Sequence, residues 1–174
     1  MPDLPSGLDP VKSRRANHLD AMTNRDMPIA ADRPIDTAPL NQVIGYRLRR
    51  AQLYVFQQFI DRFAEFELRP AEYSALSLIG DNPGRKQSEI AQILGIKRAN
   101  FVVLINGLDQ RGLTVRRQQP GDLRSHALFL TPKGKAFVQR ANEVQAEFEA
   151  HCIQRLGGVS ARDQLLALLE KLGG

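Results

Sequence analysis

The sequence predicts a mainly α-helical chain with one two-stranded hairpin, on three observations. Apolar residues recur at intervals of three and four over long stretches. The breaks between those stretches place Pro, Gly and Asp-Asn where helices start and stop. One short segment, Leu113 to Leu130, offers two strand-like runs around a Pro-Gly turn. A length of 174 residues with 43% apolar content is enough for a core of its own.

Residues 1–39 hold six of the ten prolines, scattered Asp and Arg, and no sustained apolar period. Burial there cannot offset the entropy of ordering, so a disordered leader is expected, with Met22 and Met27 as alternative starts. From Leu40 the chain changes character. Leu40, Val43, Ile44, Leu48, Ala51, Val55, Phe59, Ile60 and Phe63 form one apolar stripe, which predicts a long amphipathic helix within 40–66. Pro70 at a first helical position opens a second helix through Tyr73, Leu76, Leu78 and Ile79, and Asp81-Asn82-Pro83-Gly84 ends it. Residues 87–94 make a short helix closed by Gly95. Residues from about Lys97 to Arg111 make a longer one closed by Gly112, a residue suited to the left-handed position after a helix end. Leu113 to Arg117 and Ala127 to Leu130 are the expected strands. Thr131-Pro132 supplies an N-cap and a proline at the first position of a helix to about Leu156. Gly157-Gly158 breaks it, and Ser160 to Asp163 resembles a capping box opening a last leucine-rich helix.

Charge is unevenly placed on this chain. The formal net charge is +5. Residues 85–126 alone carry Arg85, Lys86, Lys97, Arg98, Arg111, Arg116, Arg117 and Arg124 against Glu89, Asp109 and Asp122, also a net +5. A concentration of this kind is the footprint of a polyanion binder, because each phosphate contact releases condensed counterions. Apolar runs fall far short of the roughly 18 residues of a membrane span, and a secretory pattern is absent, so a cytoplasmic protein without a membrane partner is expected. Cys152 is the one cysteine, and His18, His126 and His151 are the only histidines, so neither a disulfide nor a spaced metal cluster is predicted. Gly-rich phosphate loops, Gly-x-Ser-x-Gly elbows and His-Glu-x-x-His motifs are missing, and the expectation is a non-enzyme without a cofactor.

Two helices joined by a tight Gly turn and followed at once by a hairpin make a winged helix-turn-helix, here residues 67–131. The flanking segments 40–66 and 132–174 are left to form a dimerisation region. The second helix of such a pair fits the major groove of double-stranded DNA, and the hairpin reaches the neighbouring backbone or minor groove. Candidate DNA-binding residues follow from position. Lys97, Arg98 and Asn100 lie in the first turn of the recognition helix, Asn100 suited to adenine and Arg98 to guanine or a phosphate. Gln87 and Ser88 open the preceding helix, and Arg116 and Arg117 lie on the first strand. Asp122, Arg124 and Ser125 lie at the wing, where Asp122 would fix the Arg124 guanidinium for a narrow minor groove. Val102 and Val103 are expected in the core, with a thymine methyl as the other partner open to them.

At this level of detail the chain resembles the MarR (multiple antibiotic resistance regulator) family, from about Leu40 to its end. LRPAEYSALSLIGDNPGRKQSEIAQILGI is similar to that family's second and third helices, LINGLDQRGLTVRR to the end of its recognition helix and first wing strand, and DLRSHALFLTPKGK to its Asp-x-Arg-Ser wing signature and fifth helix. The sequence departs from the pattern at Lys97 and Asn100, where Ser or Thr is usual, at Val103, often basic, and at Gly107, usually a longer polar residue. The resemblance implies a homodimer binding a pseudo-palindromic operator as a transcriptional regulator, usually a repressor, released by a small anionic and often aromatic effector. Arg47, Arg50, Tyr54 and Gln58 share one cationic and aromatic face of the first helix, with Tyr73 on the next, and are the expected ligand-binding residues for an aromatic acid or its CoA thioester. A redox role for Cys152 is not expected among its apolar neighbours. The rival functions are a helical protein-interaction module with a basic wing and an architectural DNA-binding protein without sequence preference.

Overall fold

The computed structural model describes residues 34–119 and 122–173, with the side chains of 119 and 122–125 outside the description. The predicted leader therefore falls mostly outside the described residues. The elements are a 3-10 turn at Leu40–Gln42, α1 (Ile44–Arg62), a 3-10 turn at Ala64–Phe66, α2 (Pro70–Asp81), α3 (Gln87–Ile93), α4 (Arg98–Gln110), β1 (Thr114–Gln119), β2 (Asp122–Leu130), α5 (Pro132–Leu156) and α6 (Val159–Gly173). This is the mainly helical winged helix-turn-helix that the sequence predicts.

The first helix differs from expectation at both ends. Val43 is extended (φ −90°, ψ 117°) and its N–H donates to Leu40 O, so residues 40–42 form a separate turn. At the other end α1 stops at Arg62, and Glu67 turns the chain in the left-handed region (φ 49°), a costly conformation for a residue with a Cβ. The carbonyls exposed by that turn are met from a distance: the Arg111 guanidinium donates to Phe66 O at 2.7 Å and to Glu67 O at 3.1 Å. Each of the next two helices begins with half of a capping box that the sequence reading did not single out. Glu72 accepts from the Arg69 N–H and Glu89 from the Lys86 N–H, both at 2.8 Å.

Gly95 (φ 63°) and Gly112 (φ 70°) take the left-handed positions that let α3 turn into α4 and α4 into β1. Beyond Gly112, β1 and β2 pair antiparallel from Thr114↔Leu130 to Gln118↔His126, with an irregularity between Gln118 and Gln119. The strands run further toward the tip than the sequence suggested, because polar residues pair by backbone as well as apolar ones do. The segment before α3 lies along the far edge of β2, where Gly84 N donates to Leu128 O (2.8 Å) and Leu128 N to Arg85 O (3.0 Å). The hairpin is thereby fastened to the helix pair.

Thr131 caps α5 as predicted, its Oγ1 accepting from Gly134 N at 2.9 Å and donating to Gly112 O at 2.6 Å. One prediction at the last helix needs correcting. Ser160 is not the N-cap of α6: the helix already includes Val159, and Arg162 N donates to Gly158 O. Gly158 (φ 115°) makes the entry, since two glycines let the chain turn two residues earlier than a cap at Ser160 would.

The core lies between α1, α2, α3, α4, α5 and the base of the hairpin. Phe63, Phe101, Leu76, Ile79, Ile90, Ile105, Leu108, Leu113 and Leu128 are fully buried in it. Phe59 and Phe63 stack at 4.0 Å, and Phe66 meets Phe137 of α5 edge-on at 5.4 Å. Much of the α1 stripe does not join this core. Ile44, Leu48, Val55 and Ile60 are exposed, as are Leu165, Leu166, Leu168, Leu169 and Leu172 of α6. No helix among the described residues is long and apolar enough to cross a membrane.

Candidate nucleic-acid interface

α3, α4 and the hairpin meet around a cleft of about 270 Å³ lined by Lys86, Gln87, Ser88, Arg98, Val102, Arg116 and His126. Gln87 and Ser88 come from the start of α3, Arg98 and Val102 from one side of α4, and Arg116 and His126 from the two strands. Four of the predicted DNA-binding residues, Gln87, Ser88, Arg98 and Arg116, are thus gathered in one place. Lys97 and Asn100 are exposed at the start of α4. Arg117 points from the other face of β1, its guanidinium 5.0 Å from the centre of the Phe129 ring. The backbone of Asp122, Arg124 and Ser125 lies on β2, but their side chains are outside the described residues.

The cations of this region fall into two groups that composition alone cannot separate. Arg116 is bound within the protein: its Nε lies 3.2 Å from Asp109 Oδ2, and its guanidinium donates to Asn106 Oδ1. Asp109 also accepts from the buried Thr114 hydroxyl, so one carboxylate ties the end of α4 to the start of β1. Arg111 is committed to the carbonyls after α1 and lies 5.4 Å over the Phe137 ring. Arg85 is 4.0 Å from Glu89 at an exposed pair of little energetic weight. Lys97 and Arg98 remain exposed beside the cleft. Sequence reasoning missed Lys86 and His126 as lining residues, and Asn106 and Asp109 as the partners of Arg116. Each lies on a different element from the residue it serves, and no spacing rule connects them.

Four of the predicted effector residues lie on α1, where Tyr54 reaches α5, and the fifth, Tyr73, lies on α2. Arg47, Arg50 and Tyr54 are exposed and Gln58 is half-buried along one side of α1. Tyr54 lies under the Arg155 guanidinium at 4.5 Å, and Gln58 Oε1 accepts from Arg62 at 2.7 Å. Arg62 in turn covers the Phe148 ring at 5.1 Å. Tyr73 is set apart from Arg47 and Arg50: it packs against Phe59 and Phe63, and its hydroxyl donates to Asn142 Oδ1 at 2.9 Å. The arginines that close this side, Arg62 and Arg155, were not singled out from the sequence. Their aromatic partners lie on another helix, or too far along the chain for a helical interval to reveal. Cys152 lies half-buried nearby. Burial pushes its thiol above the ordinary value and Glu149 adds to this, against a smaller opposing pull from Arg62 and Arg155, so the thiolate is disfavoured at neutral pH.

The sequence pattern of the MarR family matches residues 66–125, from the 3-10 turn after α1 into the second strand of the wing. A putative transcriptional regulatory protein for the hcr operon of Thauera aromatica is 32% identical over 130 residues, 74% of this chain and 78% of that protein. Among solved structures, the transcriptional repressor CouR bound to a 23-mer DNA duplex superposes with a TM-score of 0.77 at 42% identity, over 82% of this chain and all of that one. CouR bound to p-coumaroyl-CoA gives a TM-score of 0.74 at 41% identity, over 80% of this chain and 98% of that one.

Proposed function

The chain belongs to the MarR family of transcriptional regulators, and from this premise we propose that it is a homodimeric repressor that binds a pseudo-palindromic operator and is released by an aromatic acid or aromatic acyl-CoA. The observation that carries the reading is the cationic cleft between α3, α4 and the hairpin, next to a recognition helix whose first turn presents Lys97, Arg98 and Asn100 to solvent. α4 enters the major groove, whose width of about 12 Å admits a helix. Gln87, Ser88 and Lys97 hold phosphates, Arg98 and Asn100 read base edges, and Arg117, Arg124, Asp122 and Ser125 carry the wing onto the adjoining backbone and minor groove. Two copies joined through α1, α5 and α6 would set the half-sites about one turn of DNA apart.

Release follows from the position of the effector residues. Arg47, Arg50, Tyr54 and Gln58 lie on α1, which joins the dimerisation helices to the DNA-binding lobe, so an anion held there changes the spacing of the two lobes. DNA and effector then favour different spacings, and each weakens the other's binding by the same factor. The likeness to a repressor bound to p-coumaroyl-CoA supports a thioester, whose phosphates suit the arginines and whose aromatic acyl group suits Tyr54 and Tyr73.

The test is operator binding by fluorescence anisotropy across a salt series, followed by titration with p-coumarate and p-coumaroyl-CoA. A regulator of this kind weakens steeply with salt, prefers one duplex over scrambled ones, and releases it on adding one of the two probes. Equal affinity for all duplexes would instead mark an architectural protein, and the absence of any duplex binding a protein-interaction module. In calorimetry, Arg47→Ala and Arg50→Ala are expected to weaken the active probe by at least tenfold; unchanged affinity in both removes these residues from the site.

A further inference from the structure

The recognition helix carries an apolar side chain where the core has no use for it. Val103 lies in the middle of α4 and is 71% exposed, although the sequence alone suggested a core residue. The buried side of α4 is Phe101, Ile105 and Leu108. At about 100° per residue, Ala99, Asn100, Asn106, Gly107 and Gln110 all project within roughly 60° of Val103. That outward stripe is uncharged, and the exposed cations Lys97 and Arg98 lie outside it at the helix start. A Cβ built on Gly107 would meet nothing within 4 Å, so the helix surface beside Val103 is open to close approach.

An isolated exposed valine on a helix has no stabilising role to explain it. β-Branching lowers helix propensity, and its hydration is unfavourable. Nor is it the centre of a protein-binding patch, because its neighbours are small or polar rather than large and apolar. It matches a single small apolar group presented from a polar groove. In the major groove the base that presents one is thymine, through its 5-methyl group, and the adenine paired with it or next to it presents the N6/N7 edge that an Asn side chain can bind by two hydrogen bonds. Asn100, three residues before Val103, is exposed on the same stripe.

We infer that Val103 is a specificity-determining residue that reads the 5-methyl group of one thymine in each half-site, beside an adenine bound by Asn100. This rests on the reading of α4 as the major-groove helix. The contact removes about one methyl-sized apolar area from water on each side, which corresponds to roughly a fourfold change in affinity per half-site.

The experiment begins with duplexes selected by the full-length protein from a random pool. In the selected duplex, each thymine is replaced in turn by deoxyuridine, which lacks only the methyl group, and affinity is measured at fixed salt for the wild-type protein and for Val103→Ala. The expected result is one thymine position per half-site whose methyl loss weakens the wild type about fourfold, or about fifteenfold when both half-sites are changed. Val103→Ala should bind the thymine duplex with a similar loss and show no further loss with deoxyuridine at that position. Val103→Thr, which keeps the side-chain shape and one methyl group, should fall between the two. If Val103→Ala is as sensitive as the wild type to every thymine replacement, the inference is overturned while operator binding stands. If selection returns no preferred sequence, sequence reading by α4 and this inference fail together. Thermal melting should show no loss of stability: Val103→Ala is expected to melt at or slightly above the wild type, since alanine favours the helix more than valine, and Val103→Thr close to it.

Discussion

The Asp109 carboxylate is one of the ties that hold the wing to the helix pair, beside the backbone bonds between Gly84, Arg85 and Leu128. Asp109 pairs with Arg116 and accepts from Thr114, which joins the end of the recognition helix to the first strand. Because the Thr114 side chain is buried, removing its acceptor leaves a polar group without water to replace the lost bond. Asp109→Ala is therefore expected to lower stability by about 2 kcal/mol, seen as an earlier urea midpoint at unchanged slope. Asp109→Asn keeps an acceptor for Thr114 and should lose less. At this scale the sequence was legible for residues whose role depends on neighbours in the chain: Thr131 as a cap, Gly95 and Gly112 as helix ends. It was not legible for Arg116. A basic residue on a wing strand suggests DNA, and only the fold shows that Asn106 and Asp109 lie within reach of it.

Between elements, α5 approaches Leu113, the residue before β1, so closely that Gly134 has no room for a side chain. A Cβ on Gly134 would lie 1.9 Å from Leu113 O, a backbone atom fixed by its bond from Thr131 N. Nothing flexible is available to yield, so α5 would have to move away from the hairpin. Gly134→Ala is expected to cost about 3 kcal/mol or more, with a fall in Tm of at least ~6 °C. Gly107→Ala supplies the contrast: its Cβ meets nothing, and in a helix interior it should raise stability by about 0.5–1 kcal/mol. Element types and order could be read from the sequence because a helical period, a Pro at a first turn and a Gly at a last turn are local signals. Boundaries were less legible. Val43 separates a 3-10 turn from α1, and the end of α1 depends on Arg111, 44 residues away from Glu67.

For the whole molecule, α1 and α6 carry most of the exposed large apolar side chains among the described residues, apolar surface that the single chain leaves uncovered. A second copy of the chain would cover it, and operator binding would then depend on that contact. Leu168→Glu places a charge at a residue 62% exposed in the single chain, so it should leave the fold of each protomer intact. The expected outcome is a sedimentation mass that falls from twice 19.5 kDa to the single value, with operator affinity reduced at least a hundredfold. A wild-type protein that sediments as one chain would overturn the dimeric reading. The helical class, the helix-turn-helix followed by a hairpin, and the concentration of positive charge in residues 85–126 are written into the chain before it folds, because each depends on intervals of a few residues along it. The tertiary structure decided which cations are already matched within the protein, as Arg111 and Arg116 are, and which stay exposed, as Lys97 and Arg98 do. It also turned Val103 outward rather than into the core. The physical reason is that pairing and burial are set by distances between elements far apart in sequence, and these come into being only when the helices pack.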